Sequence, residues 1–214
     1  MLREAVAAFR EYYYITLVFA VFLVAAVLVW IKAVSAARKR GKQRGDILEK
    51  LREEDELRAE FSRLTDKKAS AADSERLIRG AALNVGRELE QSGDINDAFE
   101  KLAKQKQFIY ALSFVFFEDA ESLSDFYRKN GSPLTETADD AARHIIGGNF
   151  YDTFHRGFRM FDGGDEDYSA TSDEVKALDE EYFALLKQEK EEIFCSIKKY
   201  ICENIEIFNN KEMC

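Results

Sequence analysis

Twenty consecutive uncharged residues, Tyr12 to Ile31, stand between Glu11 and Lys32 and constrain the chain more than any other stretch. A helix rises about 1.5 Å per residue, so a helix of this length matches the roughly 30 Å hydrocarbon core of a bilayer. Twelve of the twenty residues are Ile, Leu, Val or Phe. Their insertion preferences sum to about 4 to 7 kcal/mol, against a cost of about 3 for one central charge, and the run carries none. Tyr12, Tyr13 and Tyr14 mark one end and Trp30 the other, residue types that favour the headgroup level. The expectation is a transmembrane helix over 12–34. A buried core helix of this length would need amphipathic partners of similar hydrophobicity, which the chain lacks.

Flanking charge gives the expected orientation. Arg3 and Arg10 are balanced by Glu4 and Glu11, whereas Lys32, Arg38, Lys39, Arg40, Lys42 and Arg44 follow with no acid before Asp46. The positive-inside bias makes 1–11 an extracytoplasmic tail and puts the C-terminal side in the cytoplasm, as in a single-pass protein of a bacterial inner membrane. Val34-Ser35-Ala36 has the small residues of a signal cleavage site, but a signal peptide carries its positive charge ahead of a shorter apolar region. The lipid bilayer is then the first expected partner, with Tyr12, Tyr13, Tyr14, Trp30, Lys32, Arg38, Lys39 and Arg40 at its interface.

The rest of the chain is polar and reads as all-α. It holds one proline and a dense scatter of Glu, Lys, Ala and Leu. We expect a basic juxtamembrane segment and charged helical stalk over 35–69, then an acidic helical-bundle domain over 70–214. In the stalk, Leu57, Phe61 and Leu64 recur at helical spacing, but Lys50 and Glu54 occupy the equivalent earlier positions. Asp73 or Ser74 caps a helix striped by Leu77, Ile78, Ala81, Val85 and Leu89. Asp94 caps the next, which runs from Ile95 through Leu112 into Phe114, Phe116 and Phe117, the expected heart of the core. Ser132-Pro133 opens a helix that Gly147-Gly148 stops, and a helix bearing Phe150, Phe154, Phe158 and Phe161 follows. Residues 173–208 read as one long helix or two joined near 187–192.

Charge divides the chain unequally. Residues 106–214 hold 12 basic and 23 acidic side chains, a net charge of −11, while the whole chain carries −9. Such a surface repels nucleic acid and steers basic proteins toward it, so no direct contact with nucleic acid is expected. The candidate docking surface comprises Glu118, Asp119, Glu121 and Asp125 with the loop acids Asp162, Asp165, Glu166 and Asp167.

Catalytic, cofactor and metal signatures are missing from the sequence. His144 and His155 lack the i+4 partner and acidic neighbour of a helical zinc site, although Asp152 stands three residues before His155. The 162–167 loop fails the EF-hand pattern, having no sixth-position glycine and no twelfth-position glutamate. Neither a phosphate-binding loop nor a nucleophile elbow occurs. Cys195, between Phe194 and Ser196, reads as a packed thiol. Cys195 and Cys202 stand seven residues apart on one helix, about 10 Å, too far to be bridged. No catalytic residue, metal ligand or cofactor is therefore expected.

From about Phe108 to Phe208 the order of features resembles the DNA-mimic protein domain family. The residues that carry the likeness are Phe116 to Glu121, Leu123-Ser124-Asp125-Phe126-Tyr127, Ala138 to Ile146 with Gly147 behind, and the Phe150 to Phe161 helix. Leu178-Asp179-Glu180-Glu181-Tyr182-Phe183, Tyr200-Ile201 and Asn204 complete it. The family's usual Gly-Gly pair before Leu123 is Glu121-Ser122 here. The resemblance implies an acidic all-helical fold and, from the best-described member, imitation of duplex charge to occupy a helix-turn-helix regulator. The expected function is a membrane-anchored, non-enzymatic interaction module that docks a cytoplasmic protein, basic or nucleic-acid-binding. The second expectation is a structural subunit of a membrane assembly, a homo-oligomer formed through the span and stalk.

Overall fold

The computed structural model describes residues 17, 18, 21–23, 30, 32, 45–117, 122–162 and 172–209, and among these every regular element is a helix. The chain divides into two compact units, Met1–Glu53 and Glu54–Cys214.

In the first unit the described residues are helical and exposed, among them Leu17, Val18, Val21, Phe22, Leu23, Trp30, Lys32, Ile47, Leu48 and Leu51. The expected transmembrane helix is not supported, because among the described residues no helix is long and apolar enough to cross a membrane. A crossing needs about 20 consecutive helical residues. Of the expected span 12–34, residues 17, 18, 21–23, 30 and 32 are described, and the rest lies outside the described residues. The single-pass inner-membrane placement falls with it. Tyr12, Tyr13, Tyr14, Arg38, Lys39 and Arg40 lie outside the described residues.

The second unit begins with a helix over 54–61 (α1) and continues through Asp66–Ala71 (α2), Ser74–Glu90 (α3), Ile95–Lys101 (α4) and Lys104–Phe116 (α5). Leu123–Lys129 (α6), Leu134–Ala141 (α7), a π-helical turn Ala142–Ile146, Gly148–Asp162 (α8), Asp173–Glu203 (α9) and Ile205–Phe208 (α10) complete it. Short polar side chains start these helices by accepting orphan backbone N–H groups. Thr65 accepts from Lys68, Asp73 from Arg76, Asp94 from Asn96 and Asp97, Ser122 from Asp125, and Ser172 from Val175. Gly147 and Gly148, with φ of 70° and 58°, adopt the left-handed conformation that ends the π turn, and Gly147 donates to the Ala142 carbonyl at 2.9 Å.

Two expectations about the elements change, and an open alternative for 173–208 is resolved. The stretch after Asp94 is two helices, because Leu102 and Ala103 take extended ψ values of 151° and 138°. The Gln107 amide stabilises the break by donating to the carbonyls of Phe99, Glu100 and Leu102. It frees Phe99 to pack with Val85 and Leu89 in a cluster of its own, while α5 enters the main core. Pro133 occupies the cap position of α7 without a side-chain cap, and Ser132 instead donates to Glu136 at 2.8 Å. The 173–208 region is one 31-residue helix, α9, followed by the single turn of α10.

The core is centred elsewhere than on Phe114, Phe116 and Phe117, which are half-buried. Phe126, Phe150 and Phe154 are almost completely enclosed, and Tyr127 and Phe161 join them. Ring centroids separate Phe126 from Phe154 by 5.9 Å, Tyr127 from Phe154 by 5.6 Å and Phe150 from Phe154 by 5.9 Å, offset and tilted as aromatic quadrupoles prefer. The Tyr127 hydroxyl donates to the Phe154 carbonyl at 2.9 Å, so its polar end is satisfied where burial pushes its pKa well up. Leu57, Phe61 and Leu64 belong to this core as well.

Candidate functional site: the acidic face of α9

α9 packs against α3, α6, α8 and α2. Val175, Leu178, Tyr182, Ile193, Phe194, Ile197 and Ile201 form its buried stripe, which leaves the opposite face to solvent. That face carries three carboxylate pairs, Asp173-Glu174, Glu180-Glu181 and Glu191-Glu192, all exposed. The pairs are seven and then eleven residues apart, close to two and three whole turns, so they line up along the helix at about 10 and 16 Å intervals.

Partners divide these six acids into two groups. Asp173 pairs with Lys176 at 3.0 Å, and Glu181 accepts from Thr153 at 2.8 Å and from Arg156. The Thr153 hydrogen bond, aided by the Arg156 guanidinium, holds the Glu181 carboxyl below its ordinary pKa. Glu174, Glu180, Glu191 and Glu192 make no ion pair among the described residues. Phe183 stands three residues past Glu180 and is 49% exposed, one of two large hydrophobic side chains so exposed among the described residues of this unit; Ile95 is the other.

The junction of α6 and α9 fixes the position of this face. Asp179 reaches from α9 to the start of α6, where its carboxylate accepts from the Ser124 N–H at 2.9 Å and from the Ser124 hydroxyl at 2.6 Å. This carboxylate at a helix N-terminus satisfies orphan donors and meets the favourable end of the dipole. Asp125, the next residue, is half-buried and lies 3.7 Å from Lys129. It is the sole member of the candidate docking surface whose side chain is described. Glu118, Asp119, Glu121, Asp165, Glu166 and Asp167 lie outside the described residues, and Asp162 is placed only as the last residue of α8. Apart from Asp125, the expected docking acids thus have no described side chain, and the α9 ladder is the acidic face that the described residues present. Its signal in the sequence was the recurrence of acidic pairs at whole-turn spacing, hidden because isolated carboxylates on a helix face are ordinary solvated groups.

The two histidines have separate environments. His144 is exposed, its Nδ1 2.9 Å from the Asp140 carbonyl. His155 Nδ1 lies 3.0 Å from both carboxylate oxygens of Asp139, a contact between α8 and α7 that sequence spacing did not suggest. Among the described residues no group of three or more His, Cys, Asp or Glu is arranged to hold a metal. Cys195 is exposed rather than packed, since Phe194 takes the inward position beside it. Cys202 is half-buried, and burial raises its thiol pKa.

Burial pushes the Asp139 carboxyl above its ordinary pKa, with the His155 hydrogen bond and charge opposing the shift. A carboxyl that is raised on folding contributes most to stability below its unfolded value and loses that contribution as pH rises through the interval up to the folded value. Asp139→Asn removes the titration. Wild type should therefore lose stability relative to Asp139→Asn as pH rises from about 4, and the difference should level off above the raised value. Urea unfolding of both proteins across a pH series checks the slope.

No family model, curated protein or solved structure matches the chain. The resemblance to DNA-mimic proteins therefore rests on the residues quoted for it, of which Glu180 and Glu181 lie in the acidic face and Phe183 beside it.

Proposed function

We propose that the Glu54–Cys214 unit is a non-enzymatic docking module whose acidic α9 face captures a basic protein, with Phe183 as its apolar anchor. The observation that carries this reading is the ladder of carboxylate pairs at whole-turn spacing, four of whose six acids have no described ion-pair partner. Unpaired charges of one sign along a rigid helix produce a field that steers an oppositely charged partner and sets its register. An exposed aromatic among them supplies the desolvated contact that rim charges alone do not. The likeness to DNA-mimic proteins favours a partner that itself binds nucleic acid, because a surface built to grip phosphates also accepts evenly spaced carboxylates.

A test uses the full chain and a fluorescent lysine- and arginine-rich amphipathic helical peptide, followed by anisotropy. Glu180→Lys with Glu191→Lys should weaken binding by about tenfold or more, and Phe183→Ala by about tenfold. Glu100→Lys, on the exposed side of α4, should leave it within about twofold. Equal loss from the α4 change, or failure of wild type to bind the peptide, would count against the reading.

A further inference from the structure

A cavity of about 260 Å³ lies within the Glu54–Cys214 unit, bounded by α1, α3 and α5. Tyr110, Phe114 and Phe117 give it an aromatic wall, and Arg58, Arg79, Glu54 and Glu90 also line it. Two guanidinium groups and two carboxylates thus face one space, yet none of the four is ion-paired with another. Arg58 spends Nη1 on Asp55 at 3.1 Å, while its Nε is buried with no hydrogen-bond partner. Arg79 makes no ion pair among the described residues and lies over the Phe117 ring at 5.8 Å. Among the described contacts Arg58 donates through Nη1 alone, so its guanidinium keeps donors for an anionic group in the cavity.

The α3 backbone leaves room for such a ligand. Gly86 sits inside the helix, where glycine is less favourable than alanine. An added Cβ there would meet only Tyr110, at 3.4 Å, so no tight backbone packing demands the glycine. A larger side chain at this position would enter the cavity.

We propose that this cavity binds an aromatic zwitterion, the chemistry of a free aromatic amino acid. Its carboxylate fits between Arg58 and Arg79, its ring lies against Phe114, Phe117 and Tyr110, and its ammonium meets Glu54 or Glu90. The balanced lining disfavours a polyanion, because each added negative charge is repelled by the two glutamates as it is attracted by the arginines.

The inference is tested by calorimetric titration of the full chain with L-tryptophan and L-phenylalanine, with 3-phenylpropionate, phenethylamine and L-alanine as probes lacking one element each. The two amino acids should bind saturably below about 1 mM, and each incomplete probe should bind at least about tenfold more weakly. Arg79→Gln should weaken L-tryptophan binding about tenfold, and Gly86→Leu should abolish it, with both variants keeping wild-type helical circular dichroism. Should Gly86→Leu fail to fold, Arg79→Gln alone decides, since its side chain is half-buried and not part of the core. No saturable binding by about 10 mM, equal binding of phenethylamine, or binding indifferent to Arg79→Gln would overturn the proposal.

Discussion

Truncating Phe154 to alanine is expected to remove about 3 to 5 kcal/mol of stability and lower Tm by about 10 °C or more. The side chain is fully enclosed, and its ring contacts Phe126, Tyr127 and Phe150. The loss combines the transfer free energy of the ring with the cavity left among neighbours that are themselves held in place. Phe126 is tied to α6, whose N-terminus Asp179 holds, and the Tyr127 hydroxyl is bonded to the Phe154 carbonyl. These neighbours are poorly placed to collapse into the space. Phe183→Ala provides the contrast, because an exposed ring should change stability by no more than about 0.5 kcal/mol. Thermal and urea unfolding measure both, and similar losses for the two would mean that the core is not centred on α6 and α8.

The second large effect comes from adding one carbon. A Cβ on Gly80 would stand 2.2 Å from Phe61 Cδ2, 2.8 Å from Cγ and 3.0 Å from Cβ. Those last two atoms are the root of the side chain, so Phe61, 1% exposed, cannot swing aside without moving α1 against α3. Overpacking of this kind costs about 1 to 3 kcal/mol, more than the roughly 1 kcal/mol that alanine gains over glycine in a helix. Gly80→Ala should thus be destabilising, against its helix propensity. In a Phe61→Ala background the clash disappears, and Gly80→Ala should become stabilising by up to about 1 kcal/mol. A double-mutant cycle in urea reads this change of sign directly. Additive losses would show that the close approach of α1 and α3 is not what Gly80 permits.

How far the sequence disclosed the fold differs between elements. Helix starts were legible wherever a short polar side chain stood before an apolar stripe, as at Asp73 and Asp94, because the cap is a local hydrogen bond. The end at Gly147 was legible because the left-handed backbone there favours glycine. The break at Leu102-Ala103 was hidden, since neither residue resists a helix and its cause is tertiary, the pull of Phe99 toward Val85 and Leu89. The centre of the core was misplaced because clustering of Phe114, Phe116 and Phe117 in sequence says nothing of which ring turns inward. Phe126, Phe150 and Phe154 come together only when α6 and α8 pack. For the apolar run from Tyr12 to Ile31, composition alone suggested a membrane crossing that no described helix provides.

The acidic face was the least legible part. Single carboxylates on a helix are ordinary, and the whole-turn spacing of Asp173-Glu174, Glu180-Glu181 and Glu191-Glu192 makes one face only because α9 runs unbroken through 187–192. The Asp139 and His155 pair was equally hidden, since its members lie on different helices sixteen residues apart. Both features depend on tertiary packing that turns otherwise common residue types toward one another or toward a common side.

If unpaired carboxylates on α9 carry the docking, ionic strength governs its affinity. The affinity of the full chain for the basic helical peptide should fall by about tenfold or more between 50 and 300 mM salt, where the screening length shortens to below about 6 Å. Glu180→Lys with Glu191→Lys should flatten that dependence. An affinity unchanged over the same range, or a salt dependence that survives the double reversal, would show that these carboxylates do not carry the docking.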